Sequence, residues 1–218
     1  MNNTTPVGTL YDQTYFNYQR QIGVFGGWAN APIFQPHVKA LDKVIDFGCG
    51  GGDLLKKLNC GEKIGIEINE HARQVATSNG IQTVSSASEI ADGWADVIIS
   101  SHALEHTACP LDELKFLKDK LRPGGLIVFL VPSEGALNSY NPEDPNHHLY
   151  TWSPMCLGNL FQQCGFNVIS AKALIHRWPP LYKYIAKMGW GIFDISCRIY
   201  GFLKITEYVQ SMVIGRKP

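Results

Sequence analysis

The stretch Val44-Ile45-Asp46-Phe47-Gly48-Cys49-Gly50-Gly51-Gly52-Asp53 runs from apolar residues into a glycine-rich turn. A second apolar stretch, Ile64-Gly65-Ile66-Glu67-Ile68, ends around a carboxylate. Glycines tolerate positive φ and let backbone approach a ligand, and an acid at the end of the next strand accepts hydrogen bonds from ribose hydroxyls. The separation of Gly48 and Glu67 is about 20 residues, the length of one strand–helix–strand unit. These residues describe a site for a nucleoside-bearing cofactor. The dinucleotide pattern G-x-G-x-x-G is not met, because Gly52 comes one residue early and Asp53 stands where the later glycine belongs. Asp46 and Asp53 flank the loop, and no basic residue lies in it to welcome a pyrophosphate. A ribose, a base and a positively charged tail suit these charges better. Proton transfer near neutral pH falls to histidine. His102 follows an apolar run, and His147 and His148 lie in a later loop.

These groups need a scaffold, and the chain alternates apolar runs with helical patterns, which predicts a mainly parallel sheet. Strands are expected at 43–47, 63–68, 81–85, 95–100, 126–131, 166–171 and 207–214. Asn69 is placed to cap a helix that Gly80 ends, and Ser153-Pro154 opens another that Gly165 closes. Leu111, Leu114, Leu117 and Leu121 repeat at helical spacing before Arg122-Pro123-Gly124-Gly125 stops that helix.

The pattern D-x-G-x-G-x-G at Asp46, Gly48, Gly50 and Gly52 resembles the first motif of class I S-adenosylmethionine-dependent methyltransferases. Ala95-Asp96-Val97-Ile98-Ile99-Ser100 followed by Leu104-Glu105-His106 resembles the fourth-strand motif of their small-molecule branch. Leu121-Arg122-Pro123-Gly124-Gly125 resembles the turn into the fifth strand, and Phe161-Gln162-Gln163-Cys164-Gly165-Phe166 the helix end before the sixth. The resemblance covers roughly residues 41–218. It implies a Rossmann-like α/β fold, seven strands with the last antiparallel, and helices on both faces. It also implies S-adenosylmethionine as cofactor and S-adenosylhomocysteine as product. Asp46, Gly48, Cys49, Gly50 and Gly52 would then shape the methionine side. Glu67 would take the ribose, Ile68 would pack on the adenine, and Ser86, Ala87 and Ser100 would complete the site. The sequence departs from the family at Val84-Ser85-Ser86-Ala87-Ser88-Glu89, where serines stand in place of the acid often found near the adenine.

Methyl transfer from a sulfonium needs alignment and exclusion of water, and a hydroxyl acceptor also needs a base. His102, His147 and His148 are the base candidates, each otherwise a polar loop residue, and His106 is read as architectural. A third ligand at helpful spacing is not evident, so no metal is expected. Ser100-Ser101-His102-Ala103 lacks the Asn/Asp-Pro-Pro-aromatic tetrapeptide of enzymes that methylate nucleobase or glutamine nitrogens. The expected acceptor is a small molecule, a hydroxyl-bearing sugar or secondary metabolite. Two rival functions are a non-catalytic cofactor-binding scaffold and an NAD(P)-dependent reductase or epimerase. Tyr200 and Lys204 have the reductase Tyr-x-x-x-Lys spacing but fall late, in an apolar segment.

Length and composition bound the rest. The 218 residues suffice for one domain, divided into an aromatic arm or lid (1–40), a cofactor-binding core (41–177), a helical insertion or cap (178–205) and a last strand (206–218). The arm carries Tyr11, Tyr15, Phe16 and Tyr18 and then Phe25-Gly26-Gly27-Trp28. The net charge of zero argues against a nucleic-acid partner that relies on a broad basic face. The polar start Met1-Asn2-Asn3-Thr4-Thr5 has no apolar run behind it, and six cysteines show no C-x-x-C pair. A cytoplasmic protein with reduced thiols is expected, as monomer or homodimer. Leu181, Tyr184, Ile185 and Met188 fit one helix face, and Ile192, Ile195, Ile199 and Phe202 another, with Gly189 and Gly191 breaking between them. That insertion is expected to pack into the core, to cap an acceptor pocket, to form a dimer or to rest on a membrane surface.

Overall fold

The computed structural model describes residues 13–135, 139–141, 144 and 146–218. Tyr11 of the aromatic arm lies outside the described residues, as do the side chains of Tyr15, Phe16 and Tyr18. The first half of the chain runs α1 (Gln13–Phe34), β1 (Lys43–Phe47), α2 (Asp53–Lys57), β2 (Glu62–Ile66), α3 (Glu70–Ser78), β3 (Gln82–Val84) and β4 (Ala95–Ser101). The second half runs α4 (Pro110–Lys120), β5 (Leu121–Glu134), α5 (Pro154–Gln163), β6 (Asn167–Leu174), α6 (Tyr182–Ala186), α7 (Trp190–Leu203) and β7 (Tyr208–Arg216). The strands form one sheet in the order β3-β2-β1-β4-β5-β7-β6. All pairs are parallel except those of β7, which is antiparallel to both β5 and β6.

The central strands are apolar at nearly every position because both faces of the sheet are covered. Ile45, Ile98 and Phe129 point to one side, against Leu114 and Leu117 of α4 and Phe161 of α5. Their chain neighbours Val44, Val97, Ile99, Val128 and Leu130 point to the other, against Phe34 of α1 and Leu55 of α2. The expected caps are present. The Asn69 side chain accepts from the backbone N–H groups of His71 and Ala72, and that of Ser153 accepts from Cys156 N.

Several boundaries differ from the expectations above. The second strand stops at Ile66, so Glu67 and Ile68 lie in the loop beyond it. The fifth strand begins at Leu121 rather than 126, because Leu121 pairs with Ala95 and a register shift follows. Gly124 N donates to Lys217 O and Lys217 N to Gly125 O, both at 3.0 Å, so the turn is tied to the chain end. In the insertion only Gly189 (φ +104) breaks the helix, and Gly191 sits inside α7. Leu181, Tyr184, Met188, Ile192, Ile195, Ile199 and Phe202 are exposed rather than packed in the core. The buried stripe of α7 is Phe193, Cys197 and Gly201 instead.

Candidate functional site

The loop between β1 and α2 is held from below. Gly48 N and Cys49 N both donate to Ile66 O, at 2.9 and 3.1 Å. Gly48 has φ +74, and a Cβ there would lie 2.2 Å from that of Ala103, so only glycine fits. A Cβ on Gly50 (φ +53) would meet nothing within 4 Å, so the loop backbone borders open space there. The Cys49 side chain packs over Gly65, and burial, followed by the charges of Asp46 and Glu67, pushes its thiol well above the usual range. Cys49 is therefore an inert packing residue on its side-chain side.

Glu67 faces this loop. Its Oε2 accepts from Gly50 N at 2.9 Å and its Oε1 from Asn69 N at 2.8 Å. Each oxygen keeps a further lone pair, which is what a ribose diol needs. Burial raises the Glu67 pKa against the lowering effect of these N–H groups. Asp46 lies beneath, 2 % exposed, and burial followed by the Glu67 charge raises its carboxyl well above the usual range. Two crowded carboxyls beside an open loop suit a ligand that brings positive charge. Ile68 is 58 % exposed and offers an apolar surface beside Glu67.

The other expected cofactor residues are placed as follows. Ser86 caps a short 3-10 turn, accepting from Ser88 N, while Glu89 accepts from Ser85 N and Ser86 N. Ala87 is buried in that turn. Ser100 is fully buried, and its hydroxyl donates to Phe47 O at 2.8 Å, binding the ends of β1 and β4 together. α1 crosses the same edge. Asn30 Nδ2 donates to Ser101 Oγ at 3.1 Å, and Gly27 lies so close to α2 that a Cβ would be 2.6 Å from the Asp53 carbonyl carbon.

Beyond the cofactor loop, the carboxyl ends of β4 and β5 bring three histidines around Glu105. Glu105 is 0 % exposed, and neither carboxylate oxygen has a well-formed hydrogen bond among the described residues. His102 Nδ1 is 3.4 Å from Glu105 Oε1, His148 Nε2 is 3.9 Å away and His106 Nε2 is 4.0 Å away. The loop carrying His148 is pinned here because Leu149 N donates to Glu105 O at 2.9 Å and Trp152 N to Pro132 O at 3.0 Å. Burial would raise the Glu105 pKa, but the close polar contact with His102 and its charge, then that of His106, outweigh it and hold the carboxyl below its ordinary value.

The histidines differ in what they can do. The Gln210 side-chain N–H donates to His176 O at 2.6 Å, which turns Gln210 Oε1 towards His102 Nε2 at 2.9 Å. Both His102 nitrogens thus face acceptors, which favours the imidazolium. Burial lowers the His102 pKa, but Glu105 and then Gln210 reverse the sign and leave it raised. His148 Nδ1 lies 2.6 Å from Glu134 Oε1, so Glu134 fixes that nitrogen as the donor and leaves Nε2 as the one directed at Glu105. His147 has φ +49 and an exposed side chain, outside the cluster. His106 is held below its ordinary pKa, chiefly by burial. Ligand atoms of Glu105, His106 and His148 lie within 4.8 Å of one another, a set able to hold a divalent cation. Glu134 and Gln210 were not singled out by the sequence. Their roles come from the β5–β7 pairing, which sets Glu134 opposite Tyr208 and Pro132 opposite Gln210.

Comparison with known proteins places the chain by sequence and by fold. A stretch of 166 residues, 65% of this chain, is 28% identical to the ubiquinone biosynthesis O-methyltransferase of Ruegeria sp. (strain TM1040) and spans 66% of that protein. The fold matches phosphoethanolamine N-methyltransferase 2 of Haemonchus contortus in complex with S-adenosyl-L-methionine, at TM-score 0.70 and 15% identity, over 99% of this chain and 61% of that one. It matches equally, at TM-score 0.70 and 16% identity, a SAM-dependent methyltransferase from Thermotoga maritima, over 97% of this chain and 100% of that one. A family model described as a methyltransferase domain fits residues 21–171, the stretch that holds the glycine loop, Glu67 and the Glu105 cluster. The chain therefore belongs to the methyltransferase domain family and is an S-adenosylmethionine-dependent methyltransferase.

Proposed function

We propose that this enzyme methylates a hydroxyl group of a small molecule, with His148 as general base. The observation that carries this is the 2.6 Å contact between His148 Nδ1 and Glu134 Oε1. A carboxylate behind one ring nitrogen fixes the tautomer and stabilises the imidazolium formed when the other takes a proton. S-adenosylmethionine, when bound, supplies a methyl group on a sulfonium. The loop backbone at Gly50, the carboxylates Asp46 and Glu67 and the apolar surface of Ile68 would hold it. His148 Nε2 would take the proton of the acceptor hydroxyl as its oxygen receives the methyl group. His102 is set up to neutralise Glu105 rather than to act as the base, since its nitrogens lie 3.4 and 2.9 Å from acceptors, whereas His148 Nε2 stands 3.9 Å from Glu105, beyond hydrogen-bond distance. The sequence likeness to a protein named for O-methylation supports a hydroxyl acceptor.

The proposed cap fits the same purpose. Phe25 of α1 lies 4.8 Å from Trp178 and 4.6 Å from Tyr182 between ring centroids, so α1 and the insertion share one aromatic cluster, which would serve as the cover. Such a cover excludes water from a sulfonium reaction. The test is His148→Ala, with Glu134→Gln beside it. A base of this kind contributes about 10²–10⁴ in rate. His148→Ala should lower kcat by about that factor and leave S-adenosylhomocysteine affinity unchanged. Unaltered kcat would remove His148 from the mechanism.

A second function for the cluster is favoured by the convergence of Glu105, His106 and His148. A divalent cation held there would bind the acceptor oxygen and lower its pKa without a protein base. Exhaustive dialysis against a chelator separates the two. Retained turnover supports the base, and loss restored by added cation supports the metal.

A further inference from the structure

The insertion between β6 and β7 is apolar on both faces of its main helix. Phe193, Cys197 and Gly201 of α7 are buried, the first two against Ala29 and its aromatic neighbours on α1. On the opposite side, Ile192, Ile195, Ile199 and Phe202 are 45–67% exposed. Leu181, Tyr184 and Met188, around α6, extend the surface at 66–70% exposure. Such a helix is unusual on a protein surface that faces only water.

The charges around this surface identify its occupant. Residues 175–207 carry Arg177, Lys183, Lys187, Arg198 and Lys204 against Asp194 and Glu207, a net +3 in a chain whose net charge is zero, and Glu207 pairs with Arg177 and Lys204 at the foot of the insertion. Asp194 is turned inward, 13% exposed, with Arg198 and His176 around it. Lys183 and Lys187 pair with no acid among the described residues and lie over the rings of Tyr182 and Tyr184, at 5.9 and 5.2 Å. Apolar side chains flanked by lysine, arginine and tyrosine are what a helix lying in the headgroup region of an anionic bilayer requires. A second copy of this chain would bring the same cationic rim against itself.

We infer that the outer face of α6 and α7 is a peripheral docking surface for an anionic lipid membrane. The insertion leaves β6 at Leu174 and returns at Tyr208, opposite Glu134, so it starts and ends at the same end of the sheet as the Glu105 cluster. The site mouth would then open beside the lipid surface. This inference does not depend on which acceptor is methylated or on the role of His148.

Vesicle sedimentation of the full chain tests it, comparing phosphatidylcholine vesicles with vesicles containing one-third phosphatidylglycerol. The chain should pellet with the anionic vesicles, and raising the salt to 0.5 M should release it. Lys183→Glu with Lys187→Glu should weaken binding by about tenfold or more. Ile195→Ser with Phe202→Ser should weaken it comparably. Both pairs are exposed, so melting temperature and S-adenosylhomocysteine affinity should stay unchanged, which shows that the variants are folded. The inference is overturned if the wild-type chain ignores anionic vesicles. It is equally overturned if neither double variant reduces binding, or if ultracentrifugation shows a dimer that Ile195→Glu dissolves.

Discussion

Fully buried Glu105 and part-exposed His102 form an ion pair whose members shift in opposite directions. The raised His102 pKa gives stability that is complete below its ordinary value of 6.5 and is lost as pH rises through the higher folded value. The lowered Glu105 pKa gives stability that is complete above 4.5 and is lost as pH falls through the lower folded value. The pair therefore stabilises most between those ordinary values. Melting temperatures of wild type and Glu105→Gln, measured from pH 5 to 9, should differ most near pH 5–6. The gap should narrow as pH rises above 6.5, and a gap constant across the range would show that the pair does not titrate as described. The sequence offered His102, His147 and His148 as equals. Only backbone direction separates them: His102 and His147 both have positive φ, and the turn at His147 leaves its ring outside while His148 points inward.

At the scale of elements, α1 is the piece whose fit is tightest. Its Gly27 lies against the first residue of α2, and an added Cβ would press on backbone that cannot move aside. Gly27→Ala should cost about 1–3 kcal/mol and lower the melting temperature by several degrees. Gly191→Ala in α7 is the control, since nothing lies within 4 Å of its Cβ and alanine favours a helix. Its melting temperature should hold or rise slightly. Equal behaviour of the two variants would mean that α1 does not seat on α2 as described. These elements were legible in the sequence because apolar periodicity and caps are local signals, as at Asn69 and Ser153. The exposure of Ile195 and Ile199 was not legible, because helical spacing marks an apolar face without saying what covers it.

The whole molecule responds to its cofactor site. A ligand that binds only the folded chain stabilises it by about 2.7 kcal/mol at a hundred times its Kd. For a chain of 218 residues this corresponds to an upward shift of about 5–10 °C. S-adenosylhomocysteine should produce that shift, NAD should not, and Glu67→Ala should abolish most of it by removing the acceptor that faces Gly50. A shift with NAD alone would contradict the assignment of Asp46 and Glu67. Among the described residues no helix is long and apolar enough to cross a membrane, so the lipid surface inferred for α6 and α7 is one the chain lies on.

What the sequence determined by itself was the layout of the proposed donor site. Asp46, the three glycines and Glu67 fall within one strand–helix–strand unit, where spacing along the chain nearly equals placement in space. Only the tertiary structure assembled the cluster proposed to serve the acceptor. Glu105, Glu134, His148 and Gln210 are separated by up to 105 positions and meet because β4, β5 and β7 lie side by side. Their chemistry depends on which oxygen faces which nitrogen, and sheet register and loop turns, not composition, set that.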